Sequence, residues 1–69
     1  MIADYTAVDG GSVLLLRPNN DTAREHLEDN TADEAQWFGM ALVVEPRYMQ
    51  NLIDNLEDEG FKVDISELM

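Results

Sequence analysis

The chain has 69 residues, of which fifteen are Asp or Glu and four are Lys or Arg, giving a net charge of −11 at pH 7. It has no cysteine and one histidine, which excludes disulfides, thiolate metal sites and a structural zinc site of the usual kind. One domain, 1–69, is expected near the lower size limit for independent folding, with good packing or oligomerisation as its reinforcement.

Residues 2–8 (IADYTAV) alternate loosely and end at Asp9-Gly10-Gly11, a hairpin signal because a primed turn needs positive φ. Ser12–Arg17 then reads as a strand apolar on both faces, stopped by Pro18-Asn19-Asn20. Asn20 fits the N-cap of a helix from Asp21 to Asn30, in which Arg24 and Glu28 stand four apart and are expected to pair. Ala23 and Leu27, with His26 beside them, make its short apolar stripe, and Thr31-Ala32-Asp33 forms the loop that follows.

Ala35–Val44 reads as one long strand. Period two puts Phe38, Met40, Leu42 and Val44 on the face under the helices, and Trp37, Gly39, Ala41 and Val43 on the other. Trp37 either covers the gap left by Gly39 or waits for a partner. Pro46 suits the first position of a second helix running to Glu59, with Met49, Leu52, Ile53 and Leu56 as its stripe and Gly60 as its stop. Tyr48, near the start of that helix, reads as a partly buried structural ring. Phe61, Val63 and Ile65 alternate with polar residues, as in a strand with one buried face.

The expected fold is therefore α+β, or small α/β. It is a two-layer sandwich of two helices on a three- to four-stranded sheet, in the order β-β-α-β-α-β. Helices on one face leave the other open, and an open apolar sheet face meets a partner or a second subunit.

Chemistry is harder to find in these residues. No base–nucleophile pair and no glycine-rich phosphate loop precede a helix, so the chain is not expected to be an enzyme or to hold a cofactor. His26 reads as a half-buried surface histidine rather than a base or ligand. Asp29-x-Thr31-x-Asp33 starts like a calcium loop, but Glu34 and Met40 stand where Gly and the bidentate Glu belong, so no metal is expected. Asp54, Glu57, Asp58 and Glu59 crowd the C-terminal turns of the second helix, where the macrodipole disfavours anions by roughly a few tenths of a kcal/mol each. A sequence that accepts a local cost can be meeting a functional need, although a solvated acidic face explains the same residues. Trp37 and Tyr5 are the aromatic candidates for an interface.

Four scattered cations cannot neutralise a row of phosphates, so direct nucleic-acid binding is excluded. The apolar runs Val13–Leu16 and Met40–Val44 are too short to span a membrane. The N-terminal MIADYTAVDGG has no positive residue and no signal-like run, so a cytoplasmic setting is expected.

The pattern WFG-x-ALVVE-x-RY-x-x-x-L-x-x-x-L-x-x-x-GF from Trp37 to Phe61, with the L-x-P…ARE-x-L segment at Leu16–Leu27, resembles small acidic proteins of bacterial prophages and other mobile elements. That resemblance implies a context in which small acidic proteins bind and block a host protein, and it supplies no catalytic residues. Two readings follow. One is a non-enzymatic module that docks on a basic protein surface as an inhibitor, regulator or nucleic-acid mimic. The other is a self-associating structural protein that dimerises through the sheet face around Trp37.

Overall fold

Tyr5–Asp9 (β1) and Leu14–Pro18 (β2) pair antiparallel, with Tyr5 opposite Pro18, Ala7 opposite Leu16 and Asp9 opposite Leu14. The structure, a computed structural model, describes residues 3–31 and 34–68. Ile2 of the expected first strand, and Ala32 and Asp33 of the expected loop and calcium-like spacing, lie outside the described residues. The β1–β2 turn is longer than a two-residue primed turn. Gly10 N donates to Val13 O at 2.9 Å, Gly11 N donates to Asp9 Oδ1 at 2.9 Å, and Gly11 takes φ +96°.

Helix α1 spans Asp21–Asp29, and Asn20 is its cap, accepting from Ala23 N at 2.8 Å through Oδ1. A cap of this kind contributes about 1 kcal/mol. Its buried side chains are Ala23 and Leu27. Arg24 turns back to Asp21 at 3.6 Å rather than forward to Glu28.

The expected strand from Ala35 to Val44 is two strands. Trp37–Phe38 (β3) and Ala41–Val44 (β4) form an antiparallel hairpin, with Trp37 opposite Leu42 and Phe38 opposite Ala41. Gly39 and Met40 make the two-residue turn, and Gly39 adopts φ +62° at its first central position, as in a II′ turn. A Cβ on Gly39 would meet nothing within 4 Å, so glycine serves the backbone angle there and not a gap on the sheet. The reversal undoes the expected face assignment. Leu42 and Val44 are buried, but Phe38 is 72% and Met40 60% exposed.

Helix α2 spans Pro46–Asp58, with Pro46 in its first turn and Met49, Ile53 and Leu56 buried. It ends in a Schellman motif: Gly60 N donates to Glu57 O, Phe61 N donates to Leu56 O, each at 3.0 Å, and Gly60 takes φ +94°. The last strand is shorter than expected. Val63–Asp64 (β5) pairs parallel with Tyr5 and Thr6, and Ser66–Leu68 forms a 3-10 turn that leaves Ile65 exposed. Ser66 N donates to Asp64 Oδ1 at 2.9 Å, which starts that turn.

The result is a small α+β fold with a mixed five-stranded sheet in the order β3-β4-β2-β1-β5. One more strand is present than the expected three or four, because of the hairpin. Tyr5, Ala7, Leu16, Leu42 and Val44 of the sheet join Ala23 and Leu27 of α1 and Met49, Ile53 and Leu56 of α2 in one core. Both helices therefore lie on the same side of the sheet. Asp4 ties three segments together at the start of β1. Its Oδ2 accepts from Lys62 N and its Oδ1 from Asn20 Nδ2, each at 2.9 Å. The Lys62 N–H, and then the Asn20 amide, hold the Asp4 carboxyl below its ordinary value.

Candidate binding surface

The hydrophobic stripes of α1 and α2 turn inward, so the remaining helix positions must face solvent, and these are where the acids fall. Asp21, Glu25, Glu28 and Asp29 are exposed on α1. Asp54, Glu57 and Asp58 on α2, and Glu59 at its C-cap, are exposed as well. No basic residue lies in the last turn of α2 to offset them. The helical side of the sandwich is thus an acidic layer.

The four acids singled out in α2 do not converge on one point. Asp54 Oδ1 accepts from Gln50 Nε2 at 2.9 Å on the outer face. Glu57 lines a groove of about 290 Å³ with Leu14, Pro46, Ile53 and Val63. Asp58 and Glu59 line a different groove, of about 400 Å³, between the C-terminal halves of α1 and α2. His26, Asn30, Thr31 and Asn55 complete its polar lining, and Leu27, Leu52 and Leu56 its apolar part. Two carboxylates and two amides there offer acceptors suited to a guanidinium or ammonium group. Sequence reading missed Asn30 and Asn55, because only the packing of the two helices brings them together.

His26 sits in that groove with its ring 4.7 Å from Phe61 and its Nδ1 3.4 Å from Asn30 Nδ2. The Asn30 amide and the Phe61 phenyl ring are its neighbours there. Among the described residues, no group of three His, Cys, Asp or Glu side chains could hold a metal ion.

The two aromatic candidates are placed differently from expectation. Tyr5 is fully buried, so it leaves the set of surface contacts. Its hydroxyl donates to Ala23 O at 2.6 Å, and its ring meets Phe61 edge-on with centroids 5.5 Å apart. Burial pushes its phenol up to about 12, with the nearby Asp4 charge adding to the effect. Trp37 lies opposite Leu42 and so faces the helical side, not the open face. It shares a shallow pocket with Arg24, Glu28, Gly39 and Met40 and stays 38% exposed. Trp37 is therefore not on the open sheet face where the sequence pattern put it. Tyr48, expected to be partly buried, is 53% exposed beneath the Arg47 guanidinium, 4.9 Å from its ring centroid.

These features define a class: a small α+β domain with an acidic helical layer over an open mixed sheet. No protein-family model matches the chain, and neither curated proteins nor solved structures give a match. No helix among the described residues is long and apolar enough to cross a membrane.

Proposed function

We propose that this chain is a non-enzymatic binding module whose acidic helical layer docks on a basic surface of another protein. The supporting observation is that the exposed acids of both helices share one side of the sandwich, with Asp58 and Glu59 flanking the inter-helix groove. Carboxylates spread over two adjacent helices can stand in for a row of phosphates, so a nucleic-acid-binding groove is the kind of surface this layer fits. The resemblance to small acidic prophage and mobile-element proteins agrees with an inhibitor or regulator acting in the cytoplasm. Association is then steered by charge, fast at low salt and weakened as salt screens the field. Trp37, at the edge of the layer and 38% exposed, is the aromatic contact that remains available.

The test is affinity capture from lysate at low and high salt, alongside a variant carrying Asp54→Asn, Glu57→Gln, Asp58→Asn and Glu59→Gln. Basic partners should be retained at low salt, released at high salt, and lost with the amide variant. Added duplex DNA should compete them off if the layer mimics nucleic acid. Partners that are not basic and ignore salt would overturn the reading.

A further inference from the structure

The sheet has a second face, and its composition is unlike the rest of the molecule. Alternation places Val8, Leu15 and Val43 on it in one cross-strand row, since Val8 lies opposite Leu15 and Leu15 opposite Val43. Ala41 and Phe38, paired across the hairpin, lie on the same face. Its charged strand residues are Arg17 and Asp64, both in register with Thr6, and they cancel. Without that pair the chain still has fourteen acids against three cations, so the whole −11 is carried by other parts of the molecule.

We infer that this neutral apolar face binds a second copy of the chain, face to face, with the acidic helices outermost. A face with balanced charge neither attracts a basic protein nor repels an acidic one, so it is the one broad surface two such acidic molecules can bring together. Edge-to-edge association is disfavoured, because the edge strands β3 and β5 are two residues long each and offer little ladder to extend. Size agrees as well. The extents of 30 × 28 × 21 Å bound the contact at roughly 800 Å² per partner, the amount each gives to a standard interface, so the face has room for a dimer of standard size or smaller. A closed two-fold pair would cover Phe38, now 72% exposed, and would reinforce a core limited by chain length. This inference uses the side opposite the acidic layer and does not depend on the docking reading.

Sedimentation equilibrium of the purified chain, from micromolar to millimolar concentration, tests it. Twice the monomer mass of 7.8 kDa is expected, with tighter association at about 1 M salt than at about 0.01 M, because screening relieves repulsion between the outer layers. Leu15→Lys should weaken the dimer at least about 100-fold while the far-UV spectrum stays folded. If Leu15→Lys does not fold, Phe38→Lys at the exposed hairpin end gives the same readout. Asp54→Asn, on the outer face, should leave the dimer intact. A mass that stays at 7.8 kDa throughout, or folded face variants that dimerise like the parent, would overturn the inference, as would loss of the dimer in Asp54→Asn.

Discussion

Tyr5→Ala costs the fold about 3–5 kcal/mol, a large share of what a chain this size has, whereas Tyr5→Phe costs about 1–2 kcal/mol. The alanine variant removes a fully buried ring and its edge contact with Phe61, a deletion that costs about 3–5 kcal/mol in well-packed cores. At roughly 0.05–0.15 kcal/mol per residue, a chain of 69 residues has only about 3–10 kcal/mol to lose. The phenylalanine variant keeps the ring but leaves the Ala23 carbonyl without its donor. Urea unfolding followed by circular dichroism separates the two, and a Tyr5→Ala protein as stable as the parent would show the ring to be a surface group after all. The same phenol has an alkaline signature. Its folded value of about 12 lies above the ordinary 10, so the folded state keeps the proton that the unfolded state gives up. The stability it provides is complete below pH 10 and is lost as pH rises from there toward 12. That loss should be missing in Tyr5→Phe.

Raising salt from about 0.01 M to about 1 M should raise the thermal midpoint substantially, because the Debye length falls from about 30 Å to about 3 Å. The molecule spans 30 Å along its longest axis, so at the lower salt the fifteen acids act on one another across the whole fold. Unfolding spreads them apart, and self-repulsion therefore acts against the native state. Each 1 kcal/mol relieved moves the midpoint of a domain this size by roughly 4–8 °C. The four-amide variant of α2 should melt higher at low salt and respond less to added salt. Calorimetry showing a flat or falling midpoint would mean that the acids are too far apart to matter. The expected signs are opposite for the two associations: salt favours the fold and the sheet-face dimer, and it loosens docking on a basic partner.

Local chemistry made much of this fold legible from sequence. Asn20 as a cap, Pro46 at a helix start and Gly60 at a helix stop act within a few residues, and each stands where the pattern placed it. The misreading of Ala35–Val44 has an equally physical source. Period two tells strand from helix, but it does not register a reversal of direction, and Gly39-Met40 reverses the chain inside an apolar run. The Gly-X turn signal was present and was masked by hydrophobicity on both sides. Tyr5 failed for a different reason. A tyrosine in an alternating strand reads the same whether it faces a partner or a core, and its hydroxyl's acceptor is 18 residues away. The acids of α2 were visible as residues, but their division between two grooves depends on how α1, β2 and β5 pack around the helix.

The pairing of β1 has a consequence for the order in which the molecule comes apart. On one side β1 meets β2, its near neighbour in the chain. On the other it meets β5 through two residues, helped by the Asp4–Lys62 hydrogen bond across 58 positions. The first junction closes a short loop and the second nearly the whole chain, so the second pays the larger entropy for the fewer bonds. Detachment of β5 and its 3-10 turn is then the lowest-energy opening, with the β1–β2 hairpin and both helices still in place. Native-state amide exchange should show the Tyr5 amide, which donates to Lys62 O, opening well before those within the β1–β2 ladder. Equal protection at the two junctions would mean that the sheet opens as one unit. What opens with β5 is the parallel pairing at the start of β1, while Phe61, held to α2 through its hydrogen bond to Leu56 O, stays packed on the Tyr5 ring, so the C-terminal strand works as a latch on the sheet edge that leaves the core closed.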